Sequence, residues 1–339
     1  MTATVNNPFS KLLASYRKRG VFGVIRHAFL DASDAIGRRL TVMRDHSGKF
    51  QIEARSRNEQ TLIVVLAGYK PAIWPLTLRR IAKYQSADAH VCVVTAGKHV
   101  PALAQLCEKH GWSYGWTALN KTGLVLNKAI AAHPGAKWIF KIDEDIFIAE
   151  HFFESMRQGY DAIESQGTYK PGFCSPMLNI NGISYLTFLE KTESRSAYIA
   201  QFGEHRAACS GVHAHYDPAA ALWLWRRTLP LDRIAAQIGN AAASGDAHLI
   251  PTRFSIGAVL FRKDYIDEIG GFRSSWREGI LGVDESWLCH ACMESSRPMF
   301  YLANVLAGHF SFYPQERAML DALPELAALD PDTFAVDAP

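Results

Sequence analysis

The chain has 339 residues, 48% of them hydrophobic and 20% charged, which is typical of a globular protein and excludes a disordered or fibrous one. The net charge of +3 is uneven: residues 1–58 carry eleven Lys and Arg against four Asp and Glu, a balance of +7 that leaves −4 for the remainder. Because the basic excess is confined to the N-terminal segment, we expect no nucleic-acid partner.

Residues 1–58 are predicted to form a basic amphipathic helical extension and a linker. Helices are expected over Phe9–Arg19 and Val21–Leu40, and residues 44–60 are polar enough for a linker. A basic amphipathic segment such as residues 9–40 either lies on an anionic membrane surface or packs on the body of the protein with its basic face in solvent. The sequence leaves both interpretations open.

The location of the protein is inferred from its apolar runs and its cysteines. No run approaches the ~20 apolar residues that span a bilayer, and basic residues interrupt the N-terminus where a signal peptide needs an apolar core. We therefore expect a cytoplasmic protein, peripheral at the inner face of the plasma membrane if residues 9–40 bind lipid. The six cysteines fit this compartment as reduced thiols, and Cys289-x-x-Cys292 is interpreted as two buried thiols rather than a zinc site.

Strands and helices alternate over residues 59–150. This alternation predicts parallel strands with right-handed crossovers, which is a Rossmann-like, mostly parallel α/β sheet flanked by helices. Ligands of such sheets bind at the carboxyl ends of the strands. The predicted strands are Thr61–Ala67, Val91–Thr95, Gly111–Tyr114 and Lys137–Ile142, and the predicted helices are Ile73–Tyr84, His99–His110 and Thr122–Ala132.

The elements are less regular over residues 151–315, which we predict to be the second half of the same catalytic domain. Residues 184–250 are mixed, and residues 316–339 are predicted to be a C-terminal tail that frays from Ala322. Predicted helices are His151–Ser165, Pro218–Arg227, Leu231–Ala243, Lys263–Ile269 and Asp284–Glu294, and predicted extended segments are Gly172–Ile180, Phe254–Phe261 and Leu302–Phe312. The histidines His213 and His215, with His205 and Cys209 nearby, match no standard zinc spacing.

Three adjacent acidic residues, Asp143-Glu144-Asp145, follow the last strand of the first half. Adjacent carboxylates repel one another, and Mg²⁺ or Mn²⁺ relieves this by binding carboxylate oxygens together with substrate phosphates. In an extended segment Asp143 and Asp145 project to one side and Glu144 to the other. The triplet therefore predicts a metal–diphosphate site, and an acidic turn after an edge strand is the alternative.

The glycine motifs of the common nucleotide folds do not occur. The first strand is followed by Ala67-Gly68-Tyr69 without a Gly-x-Gly-x-x-Gly fingerprint, and no Gly-x-x-x-x-Gly-Lys-Ser/Thr occurs anywhere. A nucleotide held by this sheet therefore needs other chemistry at its diphosphate, and a metal ion is the predicted substitute.

Several stretches between residues 61 and 315 occur together in a known order. They are Ala67-Gly68-Tyr69; the segment Asn120-Lys121-Thr122-Gly123 through Asn127; Asp143-Glu144-Asp145; and Ser255-Ile256-Gly257-Ala258 through Ile269-Gly270-Gly271-Phe272, followed by Asp284-Glu285 and Gly308-His309-Phe310. In this order they resemble a GT-A-fold, family-2-like glycosyltransferase of the inverting, Asp-x-Asp type.

The resemblance implies a GT-A fold and a role for each stretch. It implies donor or nucleotide binding by Ala67, Gly68, Tyr69, Asn120, Lys121, Gly123, Asn127, Asp143 and Glu144, and acceptor binding near Gly257, Ala258 and Trp287. It implies a Mn²⁺ or Mg²⁺ ion at Asp143, Asp145 and His309, since imidazole suits such ions. A packed histidine is the alternative for His309.

The acidic pair Asp284-Glu285 supplies the candidate catalytic base. Members of the family usually have Glu-Asp here with the second residue as base, and this chain has the reverse order. Glu285 is the second residue of the pair, the place of the family's base, whereas Asp284 has the side chain that the family's base usually has. Both remain candidates, with Glu285 slightly preferred. Acids that complement the dipole of a helix N-terminus are the structural alternative.

The function expected from the sequence is the metal-dependent transfer of a sugar from a nucleotide-diphosphate donor to a glycan or lipid-linked glycan acceptor, with inversion, in cell-surface polysaccharide synthesis. One alternative is a sugar nucleotidyltransferase, which would need a glycine-rich basic loop after the first strand. The other is a catalytically silent glycan-binding or scaffold domain.

Overall fold

A computed structural model describes residues 20–26, 28–30, 32–33, 35–37, 39–40, 43, 50–203, 205–241, 246–275 and 280–334. The chain divides into two units, residues 1–49 and 50–339. In the first unit the described residues are helical, which agrees with the helix predicted over Val21–Leu40; the helix predicted over Phe9–Arg19 lies outside the described residues. No helix in the described part of the chain is long and apolar enough to cross a membrane.

The described residues of the second unit form one ten-stranded sheet with helices on it. The strands are β1 (Phe50–Glu53), β2 (Thr61–Leu66), β3 (Ala89–Ala96), β4 (Ser113–Thr117), β5 (Trp138–Asp143), β6 (Ile146–Ile148), β7 (Phe173–Leu178), β8 (Ala247–Leu249), β9 (Ala258–Arg262) and β10 (Met299–His309). Their order is β1-β4-β3-β2-β5-β9-β7-β10-β6, and β8 pairs with β10.

The sheet is mostly parallel. Strands β4, β3, β2 and β5 are neighbours that run in one direction. The strand β9 runs antiparallel between β5 and β7, and β7 and β10 are again parallel to each other. The prediction of an α/β sheet with parallel strands over residues 59–150 is confirmed.

The helices that cover this sheet agree closely with the predicted ones in the first half. They are Trp74–Tyr84, Pro101–His110, Thr122–Ala131, Phe152–Ser165, Tyr185–Lys191, Arg195–Phe202, His213–Tyr216, Pro218–Thr228, Leu231–Ala241, Lys263–Glu268, Val283–Glu294, Glu316–Asp321, Leu323–Leu329 and Pro331–Phe334. Alternate residues of β2 enter opposite hydrophobic clusters, with Leu62 and Val64 in one and Ile63 and Val65 in the other. A strand that is buried on both faces has the continuous apolar run seen in this sequence.

Four predictions about the secondary structure are wrong. Residues 50–53, placed in the linker, form β1 and pair antiparallel with β4. The extended segment predicted over Leu302–Phe312 begins earlier, as β10, and the strand predicted from Phe254 begins later, as β9. Residues 323–334, predicted to fray, form helices whose Leu326 and Phe334 are buried in the main core. These apolar side chains lie among Ala, Pro and Asp residues, which hides their role in the sequence.

The cysteines behave as predicted for reduced thiols. Cys289 and Cys292 are buried and free, as are Cys92, Cys107 and Cys174, whereas Cys209 is exposed. Burial raises the pKa of the Cys289 thiol to about 11, which makes it a poor thiolate ligand. His213 lies near Asp217 at 3.7 Å, and His215 packs on Phe312, with no grouping of the two around a metal site in the described residues.

Candidate functional site

A cleft of about 540 Å³ opens at the carboxyl ends of the parallel strands. Residues from the ends of β2, β3 and β5 form its floor, and the segments around residues 253–256, 281–285 and 309–316 form its walls. Its lining comprises Leu66, Ala67, Tyr69, Lys70, Ala96, Asn120, Thr122, Lys141, Asp143, Glu144, Asp145, Arg253, Ser255, Ile256, Leu281, Gly282, Asp284, Glu285, His309, Ser311, Phe312, Tyr313 and Glu316. The location agrees with the rule for ligands of open α/β sheets.

The acidic triplet is held at the floor of this cleft by backbone pairing. Asp143 is the last residue of β5, where it is opposite Leu66 of β2, and its amide donates to the carbonyl of Gly257 at 2.7 Å. The amide of Glu144 donates to the carbonyl of Leu66 at 3.0 Å. The chain then turns into β6, so the three carboxylates stay where β5 leaves the core.

Glu144 binds the loop that follows β2. Its carboxylate accepts a hydrogen bond of 2.7 Å from the amide of Gly68 and one of 3.0 Å from the amide of Tyr69. Gly68 has φ +126°, and a Cβ on it would lie 2.7 Å from Thr95, so this loop requires glycine. Burial raises the pKa of Glu144, and the amides oppose the shift. The side chain of Glu144 therefore anchors the loop, although it also borders the cleft.

Asp145 is part of a buried charged cluster. Its Oδ2 lies 2.5 Å from Lys70 Nζ and 3.5 Å from His309 Nε2. His309 reaches it because β6 and β10 are antiparallel neighbours, with Ile146 opposite His309. Burial alone would raise the pKa of Asp145, but His309 and Lys70 outweigh burial and hold that pKa well below its usual range.

Lys70 and His309 each have a second contact that orients them. Lys70 also donates to the carbonyl of Ser311 at 3.2 Å. Burial alone would lower the pKa of Lys70, and Asp145 reverses that and raises it. The Nδ1 of His309 lies 3.0 Å from the carbonyl oxygen of Ile180, which can only accept, so Nδ1 carries a proton and Nε2 faces Asp145.

Asp143 has its own lysine. Lys141 Nζ lies 2.6 Å from Asp143 Oδ1 and also donates to the carbonyl of Ile256 at 2.8 Å. The Lys141 side chain is 3% exposed, whereas Asp143 keeps 31% of its side-chain surface accessible. The ammonium is thus fixed beneath the floor, and the carboxylate above it remains available from the cleft.

The acidic pair opens the helix Val283–Glu294 and lines the same cleft. Glu285 Oε1 is 2.7 Å from Arg253 Nε, and burial raises the pKa of Glu285 while Arg253 lowers it. Asp284 is 8% exposed and has no hydrogen bond or ion pair with the described residues. Of the two acids, Asp284 is the one whose carboxylate is not already bound to a cation.

The structure does not bring all the predicted residues to the cleft. Gly123 and Asn127 hold the segment around Phe272: the Asn127 amide group accepts from the Phe272 amide and donates to its carbonyl, both at 2.8 Å. Trp287 donates to the carbonyl of Gly271 and borders a separate cavity of about 390 Å³. The predicted residues that do not line the main cleft are Gly68, Lys121, Gly123, Asn127, Gly257, Ala258 and Trp287.

Five cationic or aromatic members of the lining were missed by sequence reasoning. They are Lys70, Lys141, Arg253, Phe312 and Tyr313. Lys141 could have been found, because it is two residues before Asp143 on a strand and so shares its face. Lys70 directly follows the predicted Ala67-Gly68-Tyr69 segment, but nothing local indicates that it bends back to a residue 75 positions away.

Comparison with known proteins identifies no family. No family model matches the chain, and no curated protein matches it. Among solved structures, a mannosyltransferase from Pyrobaculum calidifontis in complex with GDP-Man and Mn²⁺ is 12% identical with a TM-score of 0.43, over 91% of this chain and 78% of that one. Residues 1–349 of S. aureus TarS with UDP-GlcNAc are 12% identical with a TM-score of 0.40, over 83% and 68%. Similarity at this level assigns neither an activity nor a ligand.

Proposed function

We propose that this chain is an inverting GT-A-type glycosyltransferase that transfers a sugar from a nucleotide-diphosphate donor to a glycan acceptor. The observation that carries the proposal is the meeting of Asp143, Asp145 and His309 with an acidic pair in one cleft at the carboxyl ends of parallel strands. Such a cleft has the two parts that sugar transfer needs: a charged end for a diphosphate and a base for a hydroxyl.

The donor end is supported by lysines and by an aromatic side chain. Lys70 and Lys141 line the cleft. Lys121 does not line it but lies between the lining residues Asn120 and Thr122, is 4% exposed and has no hydrogen-bond partner for Nζ among the described residues. A buried ammonium without a partner is costly unless an anion comes close. Tyr69, 47% exposed, offers a ring at the same end for a nucleobase.

The donor set is chemically suited to a divalent ion. No three His, Cys, Asp or Glu side chains of the described residues are already grouped to hold a metal. Nevertheless Asp145 Oδ2 and His309 Nε2 are only 3.5 Å apart, with the other ring nitrogen of His309 bonded to a backbone carbonyl, as in histidines that ligate metals. We propose that Asp145, His309 and Asp143 hold Mn²⁺ or Mg²⁺, which when bound neutralises charge on the leaving diphosphate.

Asp284 is the better candidate for the base. It lies in the first turn of its helix, is largely buried and has no cationic partner among the described residues, whereas Glu285 is bound by Arg253. A base must accept a proton from the acceptor hydroxyl in the transition state, and an existing ion pair weakens that ability. We therefore assign proton removal to Asp284 and the positioning of Arg253 to Glu285, which reverses the slight preference drawn from the sequence.

The acceptor is proposed to be a glycan, free or lipid-linked, bound on the side of Gly257, Ala258 and Trp287. Trp287 borders the second cavity together with Arg253 and Gly282, residues that also line the main cleft. An aromatic wall that continues from the acid pair suits a sugar ring, whose apolar faces pack on aromatic side chains.

The helical residues of the first unit support a membrane contact. Six apolar side chains follow one another at spacings of three, four or seven residues, which places them on one helix face. They are 56–90% exposed: Phe22, Ile25, Phe29, Ile36, Leu40 and Met43. With Arg26, Arg39 and the other basic residues of this segment, the face is suited to an anionic bilayer. We propose that residues 9–40 bind the inner face of the plasma membrane, where a polysaccharide acceptor would be made.

Flotation with vesicles tests the membrane proposal. The full chain should float with vesicles that contain phosphatidylglycerol and stay behind with pure phosphatidylcholine. A Phe22→Ser/Phe29→Ser variant should lose flotation, whereas Ile199→Ser, which removes an exposed apolar side chain outside this segment, should not. Equal flotation of the double variant and the wild type would contradict the proposal.

A thermal-shift screen of nucleotide-sugars with Mg²⁺ and with Mn²⁺ tests the enzymatic proposal. A ligand at 100 times its Kd stabilises the folded state by about 2.7 kcal/mol, which raises the Tm of a chain of this length by about 4 °C. One nucleotide-sugar should give such a shift, and Asp145→Asn should abolish it. If no nucleotide-sugar shifts Tm with either metal, the cleft is not a donor site.

A further inference from the structure

Each aspartate of the proposed metal site is already paired with a lysine of the chain itself. Lys141 lies 2.6 Å from Asp143, and Lys70 lies 2.5 Å from Asp145. The two pairs have similar distances, but the two lysines differ in their place in the fold and in their exposure. Lys141 is part of β5 and nearly inaccessible, whereas Lys70 belongs to the loop after β2 and is 14% exposed in the cleft wall.

Lys70 contacts the oxygen of Asp145 that is paired with His309. Asp145 Oδ2 lies 3.5 Å from His309 Nε2 and 2.5 Å from Lys70 Nζ, so the ammonium is closer to that oxygen than the imidazole is. An ammonium and a divalent ion on one carboxylate oxygen would repel each other strongly at the low dielectric of a site that is 93% buried at Asp145. The two cations therefore exclude each other at Asp145 Oδ2.

The exclusion is asymmetric between the two lysines. Lys141 pairs with Asp143 Oδ1 and is held from behind by the carbonyl of Ile256, so Asp143 can present its other oxygen without losing the pair. Among the described residues, the only other hydrogen bond of Lys70 Nζ is to the Ser311 carbonyl, at 3.2 Å. When Lys70 leaves Asp145 it therefore needs another anion, and a diphosphate in the cleft would provide one.

We propose that Lys70 is an internal counter-ion that competes with the divalent metal for Asp145, so that metal binds weakly until a diphosphate draws Lys70 away. The proposal rests on the proposed function, because it takes the diphosphate from the donor. It makes binding of metal and of diphosphate mutually reinforcing: the metal frees Lys70, and Lys70 then pairs with the phosphate oxygens. Lys70 is thus a positioning residue: whether it pairs with Asp145 or with the diphosphate determines how tightly the metal binds.

Titration of the full chain with Mn²⁺ alone, followed by calorimetry or by loss of the free-ion EPR signal, tests the competition. Lys70→Met and Lys70→Gln leave Asp145 without its ammonium and should bind Mn²⁺ at least about tenfold more tightly than the wild type. Lys70→Arg keeps the charge and should bind Mn²⁺ like the wild type. Lys191→Met breaks a 2.7 Å ion pair with Asp246 outside the cleft and is the matched control for loss of a lysine.

A second titration, in the presence of pyrophosphate, tests the coupling. Pyrophosphate should tighten Mn²⁺ binding to the wild type, after correction for Mn²⁺–pyrophosphate association in solution, and should do so less in Lys70→Met. Near-ultraviolet circular dichroism identifies any variant that fails to fold, and the Met and Gln variants check each other. Equal or weaker Mn²⁺ binding by both neutral variants, or no Mn²⁺ binding by any variant, would overturn the proposal.

These measurements remain distinct from the test of the enzymatic function. They use metal and pyrophosphate only, so they can succeed in a protein that binds no nucleotide-sugar. Conversely, a chain that binds a nucleotide-sugar with unchanged Mn²⁺ affinity in Lys70→Met would keep the proposed function and lose the proposed competition.

Discussion

The two ends of the parallel strands are built from opposite kinds of polar group. At the carboxyl ends, opposed charges surround an open cleft, with Lys70 on Asp145 and Lys141 on Asp143. At the amino ends, a neutral network is buried: His90 Nε2 lies 2.7 Å from Ser113 Oγ, which lies 3.3 Å from His133 Nε2. The polar groups at the amino end are buried and hydrogen-bonded to one another, and so stabilise the sheet. The charges at the carboxyl end line an open cleft, where a ligand can bind them.

Burial acts on the two ends with different outcomes. Desolvation and, to a smaller extent, the neighbouring His133 lower the pKa of His90 to about 4, while Glu59 opposes the shift. The histidine is therefore neutral in the folded protein near pH 7. At the other end, burial is outweighed by Lys70 and His309, so that Asp145 stays ionised. The comparison predicts that changes at the carboxyl end affect activity, whereas changes at the amino end affect stability alone.

The largest expected effect is that of Asp145→Asn. The variant loses the charge that pairs with Lys70 and, in the proposed function, one carboxylate of the metal site. We expect sugar transfer to fall by about 10³-fold, as when a key electrostatic group is removed from an active site. The free energy of unfolding should also fall, because the neutral amide leaves the largely buried Lys70 ammonium without its counter-ion. Turnover and urea unfolding of the same preparation check both expectations.

Substitution of the acidic pair gives the next largest effect and separates its members. Asp284→Asn should lower transfer by at least about 100-fold with donor binding intact, because a general base contributes roughly 10²–10⁴-fold. Glu285→Gln should have a smaller effect, since Glu285 is bound to Arg253. Single-turnover rates with bound donor are the measurement. The reverse ranking would assign the base to Glu285, as the position in the sequence suggested.

Glu144→Gln tests whether every carboxylate of the triplet is functional. Glu144 accepts from the amides of Gly68 and Tyr69, and a neutral amide accepts these bonds less well. We expect a loss of about 1–3 kcal/mol in the free energy of unfolding, the usual cost of weakening charged hydrogen bonds. The effect on Mn²⁺ affinity should be smaller than that of Asp145→Asn. A stable variant that has lost metal binding would instead place Glu144 among the metal ligands.

The effect expected at the amino end is confined to stability at low pH. His90 has a folded pKa of about 4 against an ordinary value of 6.5, so the unfolded chain binds the proton more readily. The stabilisation of the folded protein by neutral His90 is complete above pH 6.5. About 1–3 kcal/mol of it is lost as the pH falls toward 4. His90→Gln should reduce that loss, and the exposed His99→Gln is the control. Urea unfolding between pH 7 and pH 4 measures this loss of stability. Nucleotide-sugar binding at pH 7 should not change in His90→Gln.

The predictability of the molecule also differs between its regions. Strand–helix alternation over residues 59–150 is a local, periodic pattern, and the elements agree with it to within a few residues. The acidic triplet was recognised because the carboxylates interrupt an apolar strand. By contrast, β1 and the helices after residue 322 form because their apolar side chains meet distant partners, such as Phe334 against Phe147. Contacts of this kind have no periodic pattern that a single sequence could display.

The same distinction holds within the cleft. Asp143 and Asp145 could be proposed from the predicted strand Lys137–Ile142 and the acids that follow it, and His309 from its place in the ordered motifs. Lys70 could not be proposed, because its role depends on the pairing of β2 with β5 and of β6 with β10, which brings residues 70, 145 and 309 together. The ion pair between Arg253 and Glu285 depends likewise on the approach of a loop to a helix N-terminus. Such long-range contacts changed the preferred base from Glu285 to Asp284.

The most direct test of the central claim is consumption of nucleotide-sugars by the purified chain, with and without Mn²⁺, in the presence of candidate glycan acceptors. The account predicts that one nucleotide-sugar releases its nucleoside diphosphate, that EDTA stops the release, and that Asp145→Asn reduces it to background. Release of pyrophosphate from a nucleoside triphosphate and a sugar phosphate would indicate a nucleotidyltransferase instead. Binding of glycans without consumption of any nucleotide-sugar would contradict the account and leave a silent binding domain.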